Sequence, residues 1–445
     1  RGPAPHFVEY VRREALGLQE LGGDPASRAR LVNVTGGLKV ETTLDRKATD
    51  AATQAAQRHL GDPGDPTVGI ASVQPGDGAI RVLFGGLDPN LSFDVASQGR
   101  RPPGSSFKPY VYLASLDKGI DPRSLMDATS PTTLRCAGED WPVNNYEGEG
   151  SGQVTVDEGM TRSVNVVFAR LMQEVGPPSV RDVAVKAGYA REEINPPRCA
   201  MALGALAHGV TPLEHAAAYA TFADRGNFAP PYSITKVTDR GGRVLFQRRE
   251  RKTRRAYDEK KVGVLNGALQ TVVQRGTGRA ADIGRPVAGK TGTTDDYGNA
   301  WFAGYVPQLS TAVWVGYPQG DVPMTDVHGI RVAGGTFPAR IFSDFMRRAL
   351  AGVPVKPIYT VSPDELGLKM LGATPTPSPS PTPSPSPTPT PLPSLAPPTI
   401  PARTLAPPTT PRPTPRPTAS PSPTPTPTPT PRPQSAEQRE PGPGP

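Results

Sequence analysis

The sequence predicts an α+β fold, an antiparallel sheet covered by helices. Three observations carry this. Apolar extended segments stand at both ends of the first 350 residues, with helical periodicity between them. Hairpins, not strand–helix–strand units, join neighbouring strands. About 370 residues have ordinary globular composition, which suits one large domain with an appendage.

Taken in order, residues 1–35 read as helical and then irregular, and 36–43 as a strand. Asp45 caps a helix with Leu44, Ala48, Ala51, Ala52, Ala55 and Ala56 on one side, ending near Gly61. The apolar runs 67–73 and 79–84 flank Pro75-Gly76-Asp77-Gly78, a hairpin signal. Arg100-Arg101-Pro102-Pro103-Gly104 is a stiff loop, and a helix is expected from about Ser105 to Lys118. Residues 155–225 read as mostly helical. Thr211 and Glu214 make a capping box there, with Pro212 at the first helical position. A second hairpin over 230–247 turns at Gly241-Gly242. A helix over 258–273, strands over 286–294, 300–306 and 309–315, and a helix over 339–351 complete the order.

From about Ala373 the chain turns to Thr-Pro and Ser-Pro repeats, and 29 of its 57 prolines lie beyond that point. Such a segment cannot bury a core and is expected to be extended and disordered. The implied division is an N-terminal linker region over 1–65, a main domain over 66–352, an extension over 353–372 and the tail over 373–445.

The net charge of +8 comes from 49 Lys and Arg against 41 Asp and Glu, a mixed surface without a basic block for nucleic acid. No run approaches 18 apolar residues, so no membrane span is expected. The chain begins at Arg1 without a signal-peptide pattern, which reads as a fragment whose anchor or export signal would lie upstream. The five histidines show no metal-binding spacing, and the two cysteines, Cys136 and Cys199, form no CxxC pair. In an oxidising compartment the two could be bonded; they could equally be two separate buried thiols.

Three short motifs occur in order: Ser105-Ser106-Phe107-Lys108, Ser163-Val164-Asn165 and Lys290-Thr291-Gly292. SxxK alone says little, since about one or two are expected by chance in a chain this long. Two others occur, ending at Lys118 and Lys236. Ser115 and Lys118 close a helix. Ser233 and Lys236 lie on a strand, where residues three apart point to opposite faces. Only Ser105 and Lys108 open a helix after a rigid loop. There i and i+3 are neighbours, so the Lys108 amine can reach and activate the Ser105 hydroxyl, while Ser106 faces away. The helix N-terminus offers free N–H groups to an oxyanion, each worth roughly 3–4 kcal/mol in acyl transfer. Ser163 could relay a proton, and Asn165 could bind a substrate amide or Lys108. In Gly289-Lys290-Thr291-Gly292-Thr293-Thr294, an ammonium, hydroxyls and glycines on a strand suit a carboxylate and a close backbone approach. Residues 284–291 also match the P-loop pattern GxxxxGK[ST], but poor helix formers follow where a phosphate-holding helix is needed.

Together the motifs resemble the set shared by penicillin-binding proteins and serine β-lactamases. The gaps fit, 58 residues from Ser105 to Ser163 and 127 to Lys290. The run Arg101 to Pro109 resembles the nucleophile segment of class A penicillin-binding proteins. Gly276-Thr277-Gly278 with residues 284–294 resembles their third-motif segment. Residues 209–214, 218–223, 5–11 and 36–40 are similar as well. The resemblance covers about residues 5–350.

It implies a serine β-lactamase/DD-transpeptidase-like fold and a serine D,D-transpeptidase that cross-links peptidoglycan stem peptides. Ser105 would attack the D-Ala–D-Ala donor, with Lys108 as base and Ser163 as relay. Asn165 would position the substrate amide. Lys290, Thr291, Gly292 and Thr293 would face the terminal carboxylate, with the N–H groups of Ser105 and Thr293 as oxyanion hole. An amine acceptor would resolve the ester, and β-lactams would acylate Ser105 and stall. No metal or organic cofactor and no nucleic acid is implied. The family places the protein on the extracytoplasmic face of the bacterial membrane, anchored by a segment outside this chain. The glycosyltransferase site that precedes this domain in the family is not in this sequence.

Four rival readings stay open at this level. A D,D-carboxypeptidase would differ only in its acceptor, water. A class A β-lactamase needs a glutamate on a loop before the third motif, where Glu192, Glu193 and Asn195 stand in unlike surroundings. An antibiotic sensor would acylate once and signal. A P-loop nucleotide-binding protein is the most distant.

Overall fold

A computed structural model describes residues 4–88, 93–146, 152–249 and 253–371. The Pro-rich repeats from residue 373 onward lie outside the described residues. The chain opens with α1 (Pro5–Gly17) and α2 (Pro25–Arg30), and a π-helical turn carries the helical path on to residue 35, further than the sequence suggests. After β1 (Lys39–Thr42) comes α3 (Arg46–His59), begun where the Asp45 carboxylate accepts from the Ala48 amide at 2.9 Å. β2 (Thr67–Val73) and β3 (Ile80–Phe84) form the expected hairpin.

α4 (Lys108–Asp117) follows the stiff loop. Residues 119–155, to which periodicity assigns no element, hold four short strands: β4 (Leu125–Asp127), β5 (Thr132–Cys136), β6 (Glu139–Val143) and β7 (Gln153–Thr155). β4 pairs with β7 and β5 with β6. Then come α5 (Val156–Arg162), α6 (Asn165–Val175), α7 (Pro177–Lys186) and α8 (Pro212–Ala223). Between α7 and α8 the expected helical stretch is broken into two 3₁₀ turns, Glu192–Ile194 and Cys199–Leu203. Pro196, Pro197, Gly204 and Gly209 interrupt any longer helix there.

The strands and α-helices that follow among the described residues are β8 (Asn227–Phe228), β9 (Ile234–Thr238), β10 (Val244–Gln247), β11 (Arg254–Arg255), α9 (Glu259–Gln274), β12 (Ala288–Thr293), β13 (Asn299–Val306), β14 (Leu309–Gly316) and α10 (Phe337–Ala349). β1, β9 and β10 make a small antiparallel sheet, so residues 39–42 are tied to the second hairpin.

The main sheet has the order β12-β13-β14-β2-β3, antiparallel throughout. Its first and last hairpins meet where Ala71 pairs with Ala312. The central strands are apolar almost without a break because both faces are covered, and their side chains divide by parity. Trp301, Ala303 and Tyr305 join the core under α4, α8 and α9, while Ala300, Phe302 and Val306 join the one under α3 and α10. α8 is apolar nearly all round and nearly wholly buried, packed against β2, β13 and β14. This leaves β12 as an edge strand with α4 and the α5–α6 junction nearby.

Candidate active site

The loop before α4 is fixed before any of the predicted site residues is reached. Arg101 and Val210 exchange backbone hydrogen bonds at 3.0 and 2.9 Å. The Arg100 guanidinium donates to Glu214, the capping-box residue of α8, at 2.5 Å. The Trp301 indole donates to the Pro102 carbonyl at 2.9 Å. Gly104 then turns at φ +55°, with its backbone so close to β12 that a Cβ would lie 2.6 Å from the Thr293 carbonyl oxygen. No other residue fits that position.

Residues Gly104–Phe107 form a 3₁₀ turn, and α4 proper starts at Lys108. The sequence reading of one helix from Ser105 is therefore off by a turn. Ser105 is half-buried and lines a cleft; Ser106 is fully buried. Lys108 is fully buried, with its Nζ 2.6 Å from the Ser163 carbonyl, 2.8 Å from Asn165 Oδ1 and 3.2 Å from Ser163 Oγ. Among the described residues no hydrogen bond joins it directly to Ser105. Its contacts run instead to the α5–α6 junction.

Ser163 ends α5 in the left-handed region, at φ +60°, and Asn165 starts α6 two residues later. A non-glycine residue held there is a local cost borne at the site. The Asn165 amide is oriented by its two ends: Oδ1 accepts from Lys108, and Nδ2 donates to the Asn144 carbonyl at 2.9 Å. From β12, the fully buried Lys290 donates to Ser163 Oγ at 2.8 Å and to the Thr291 carbonyl at 3.1 Å. Burial pushes both amines down. Lys108 falls well below the usual lysine range, helped by the charge of Lys290, and Lys290 falls to about 7.

The cleft above these lysines measures about 590 Å³, within the range of small-molecule sites. Ser105, Ser163, Asn165, Thr291 and Thr293 line it, so five of the eight predicted catalytic and substrate-binding residues face one space. Lys108 and Lys290 lie buried behind it. Gly292 faces the other way, onto the Gly104–Phe107 turn, where a Cβ would lie 2.2 Å from the Pro103 carbonyl oxygen. Cys136 and Cys199 are joined by a disulfide between β5 and the 3₁₀ turn Cys199–Leu203, outside the cleft.

In the other SxxK pairs the side chains are committed to other partners. Ser115 Oγ donates to the Tyr112 carbonyl while Lys118 reaches Glu174, and Ser233 contacts Glu14. The P-loop reading fails, because residues 284–291 run into edge strand β12 and Lys290 sits in mid-strand, with no helix to hold phosphate. Glu192, Glu193 and Asn195 do not line the cleft, and Glu193 lies 3.3 Å from Arg100. One grouping of metal-type ligands exists among the described residues, Asp62, Asp65 and His328, also outside the cleft. The 2.8 Å pair of His328 with Asp65 accounts for it.

Sequence reasoning missed several lining groups. Thr277, from the Gly-Thr-Gly run, shares a 2.7 Å hydrogen bond with Thr291. Tyr146 and Tyr297 meet edge-to-face at the rim with centroids 5.8 Å apart. Neither tyrosine carries a local motif.

Comparison with known proteins places this geometry. The family model for the penicillin binding protein transpeptidase domain matches residues 69–347. Penicillin-binding protein 1A of Mycolicibacterium smegmatis is 33% identical over 387 residues, 82% of this chain and 47% of that protein. Its namesake in Mycobacterium tuberculosis is 34% identical over 378 residues, 79% of this chain and 44% of that protein. The chain thus spans about half the length of these relatives. The solved structure of PonA1 from Mycobacterium tuberculosis in complex with penicillin V superposes with a TM-score of 0.71 at 30% identity, covering 81% of this chain and 97% of that one. With its antiparallel sheet, its three motifs in order around one cleft and these relatives, the chain belongs to the penicillin-binding protein transpeptidase family and spans the transpeptidase part of a class A member.

Proposed function

We propose that the chain is a serine D,D-transpeptidase acting on peptidoglycan stem peptides that end in D-Ala–D-Ala. The observation that carries this is the convergence of two buried lysines on Ser163 Oγ behind a cleft lined by Ser105. The roles follow from donor counting. A neutral Lys108 has two N–H bonds, taken by two oxygens that can only accept, the Ser163 carbonyl and Asn165 Oδ1. Its lone pair is left for a hydroxyl proton.

In acylation, Ser105 Oγ bonds to the carbonyl carbon of the penultimate D-alanine, and its proton passes to Lys108. The oxyanion is held by the N–H groups of Ser105 and Thr293, which Gly104 brings together. The C–N bond breaks, and the leaving amine takes a proton relayed through Ser163. Lys290, Thr291 and Thr293 bind the terminal carboxylate. An acceptor amine then attacks the Ser105 ester, Lys108 takes its proton, and Ser105 leaves as the hydroxyl. A β-lactam follows the first half only, in keeping with the penicillin V complex of the PonA1 relative. We place this activity on the extracytoplasmic face of the membrane, through an anchor outside the sequence given. Among the described residues no helix is long and apolar enough to cross a membrane.

A β-lactamase reading is disfavoured because none of Glu192, Glu193 and Asn195 faces the cleft to activate water. The test is D-alanine release from a D-Ala–D-Ala peptide with and without an amine acceptor, products read by mass. A cross-linked product supports transpeptidation. Hydrolysis alone, with the acceptor in excess, identifies a carboxypeptidase. No release of D-alanine from any such peptide overturns the reading.

A further inference from the structure

Ser106, beside the proposed nucleophile, ends a buried chain of hydrogen bonds that the reaction does not use. Its Oγ donates to the Pro103 carbonyl at 2.6 Å and lies 2.9 Å from His215 Nε2. A serine hydroxyl has one proton. With that proton on Pro103, the contact to His215 requires an N–H on Nε2. His215 Nδ1 must then accept, and the Tyr189 hydroxyl donates to it at 2.5 Å. Tyr189 in turn accepts from Tyr110 at 3.1 Å. The chain has one consistent direction and fixes His215 as the neutral Nε2–H tautomer. Burial works the same way, pushing His215 down to about 3 and the tyrosines up.

This Ser–His–Tyr order is not a second nucleophile. Ser106 is fully buried, and its proton already has an acceptor. Its location gives it another use. The Tyr219 hydroxyl donates to the Ser106 carbonyl at 2.6 Å, so α8 holds Ser106 at both side chain and backbone. On the opposing strand β12, a Cβ at Gly292 would come within 2.9 Å of Ser106 Oγ. The residue after Ser105 is therefore clamped between α8 and β12.

We propose that His215 is a positioning residue for acylation: by donating from Nε2 to Ser106, it fixes the turn that carries Ser105 against β12. The inference rests on the reading of Ser105 as nucleophile. A nucleophile misplaced by about 1 Å costs on the order of 100-fold in rate. The effect belongs in the covalent step, because His215 does not line the cleft.

The experiment separates penicillin binding from acylation by rapid-quench intact mass on the full chain. His215→Leu, which removes the donor, is expected to slow the acylation step about 10- to 100-fold, with the pre-covalent dissociation constant changed less than about threefold. His215→Gln, whose amide can donate from the Nε2 position, is expected to recover most of the rate. Tyr189→Phe, which frees the tautomer, supplies a milder variant should His215→Leu fold poorly. Nitrogen chemical shifts of ¹⁵N-labelled histidine, assigned with His215→Gln, report the tautomer directly. An Nδ1–H tautomer in the unaltered protein overturns the proposal. So does an unchanged acylation step in folded His215→Leu, or an equal loss in His215→Gln at equal melting temperature. If the unaltered protein does not acylate at Ser105, it is the parent reading that fails, while the tautomer measurement still stands by itself.

Discussion

Lys108 and Lys290 share one hydroxyl: their Nζ atoms lie 3.2 and 2.8 Å from Ser163 Oγ. Two ammonium groups that close in a dry site repel, and each loses hydration. The arrangement favours one neutral amine, and Lys108 is pushed down both by its burial and by the charge of Lys290. Lys108→Ala is expected to lower the acylation rate by about 10²–10⁴-fold. Lys108→Arg should not rescue it, since a guanidinium stays protonated. Progress curves with a chromogenic β-lactam measure both; rescue by arginine would refute a basic role.

The same pair sets a pH dependence with opposite signs in its two halves. In the proposed acylation Lys108 must be neutral to take the Ser105 proton, so that step is expected to fall as pH falls, with an inflection well below 10.5. Lys290, at about 7, must be charged to hold a carboxylate, so pre-covalent affinity weakens as pH rises through that value. Carboxylate binding near neutral pH should then take up protons, measurable by calorimetry in buffers of different ionisation heat. An affinity independent of pH from 6 to about 8 would contradict this role for Lys290.

Gly104 is required by geometry, through φ +55° and its contact with Thr293. Gly104→Ala is expected to displace the Thr293 N–H from the oxyanion and lower acylation by about 10²–10³-fold. Gly242→Ala is the control. It too has a positive φ, +83°, but nothing within 4 Å, so it should leave acylation unchanged.

The Cys136–Cys199 disulfide closes a separation of 63 residues, which the chain-entropy account values at about 4 kcal/mol. The double serine variant should unfold at lower denaturant by a corresponding amount while its folded fraction still acylates. Unchanged stability would show that the bond is strained or that the unfolded chain is already compact there.

Four strands of the main sheet, β2, β3, β13 and β14, were legible because they are apolar runs bounded by turn residues, and their burial demands that composition, whereas β12 carries glycines, a lysine and threonines. The strands β4 to β7 were not legible. They have three to five residues, carry Thr, Arg, Glu, Asp and Pro, and bury only one or two positions each, so no periodic signal rises above loop composition. At the site, Ser105, Lys108, Ser163, Asn165 and Lys290 announced themselves through motif order. The direct Ser105–Lys108 contact did not follow, because the turn is 3₁₀ and Lys108 finds its acceptors at the α5–α6 junction. His215 was passed over although the segments on either side of it are similar to family runs. Its meaning lies in contacts with Ser106 and Tyr189, 109 and 26 residues away, which no local pattern encodes.

Whether Ser105 is the acylated serine is tested most simply by intact mass of the full chain incubated with a penicillin, beside Ser105→Ala and Ser106→Ala. The unaltered protein is expected to gain one antibiotic mass and keep it for hours. Ser105→Ala should gain none, and Ser106→Ala should gain it more slowly. A folded protein that forms no adduct, or one whose adduct survives Ser105→Ala, would contradict Ser105 as the acylated serine.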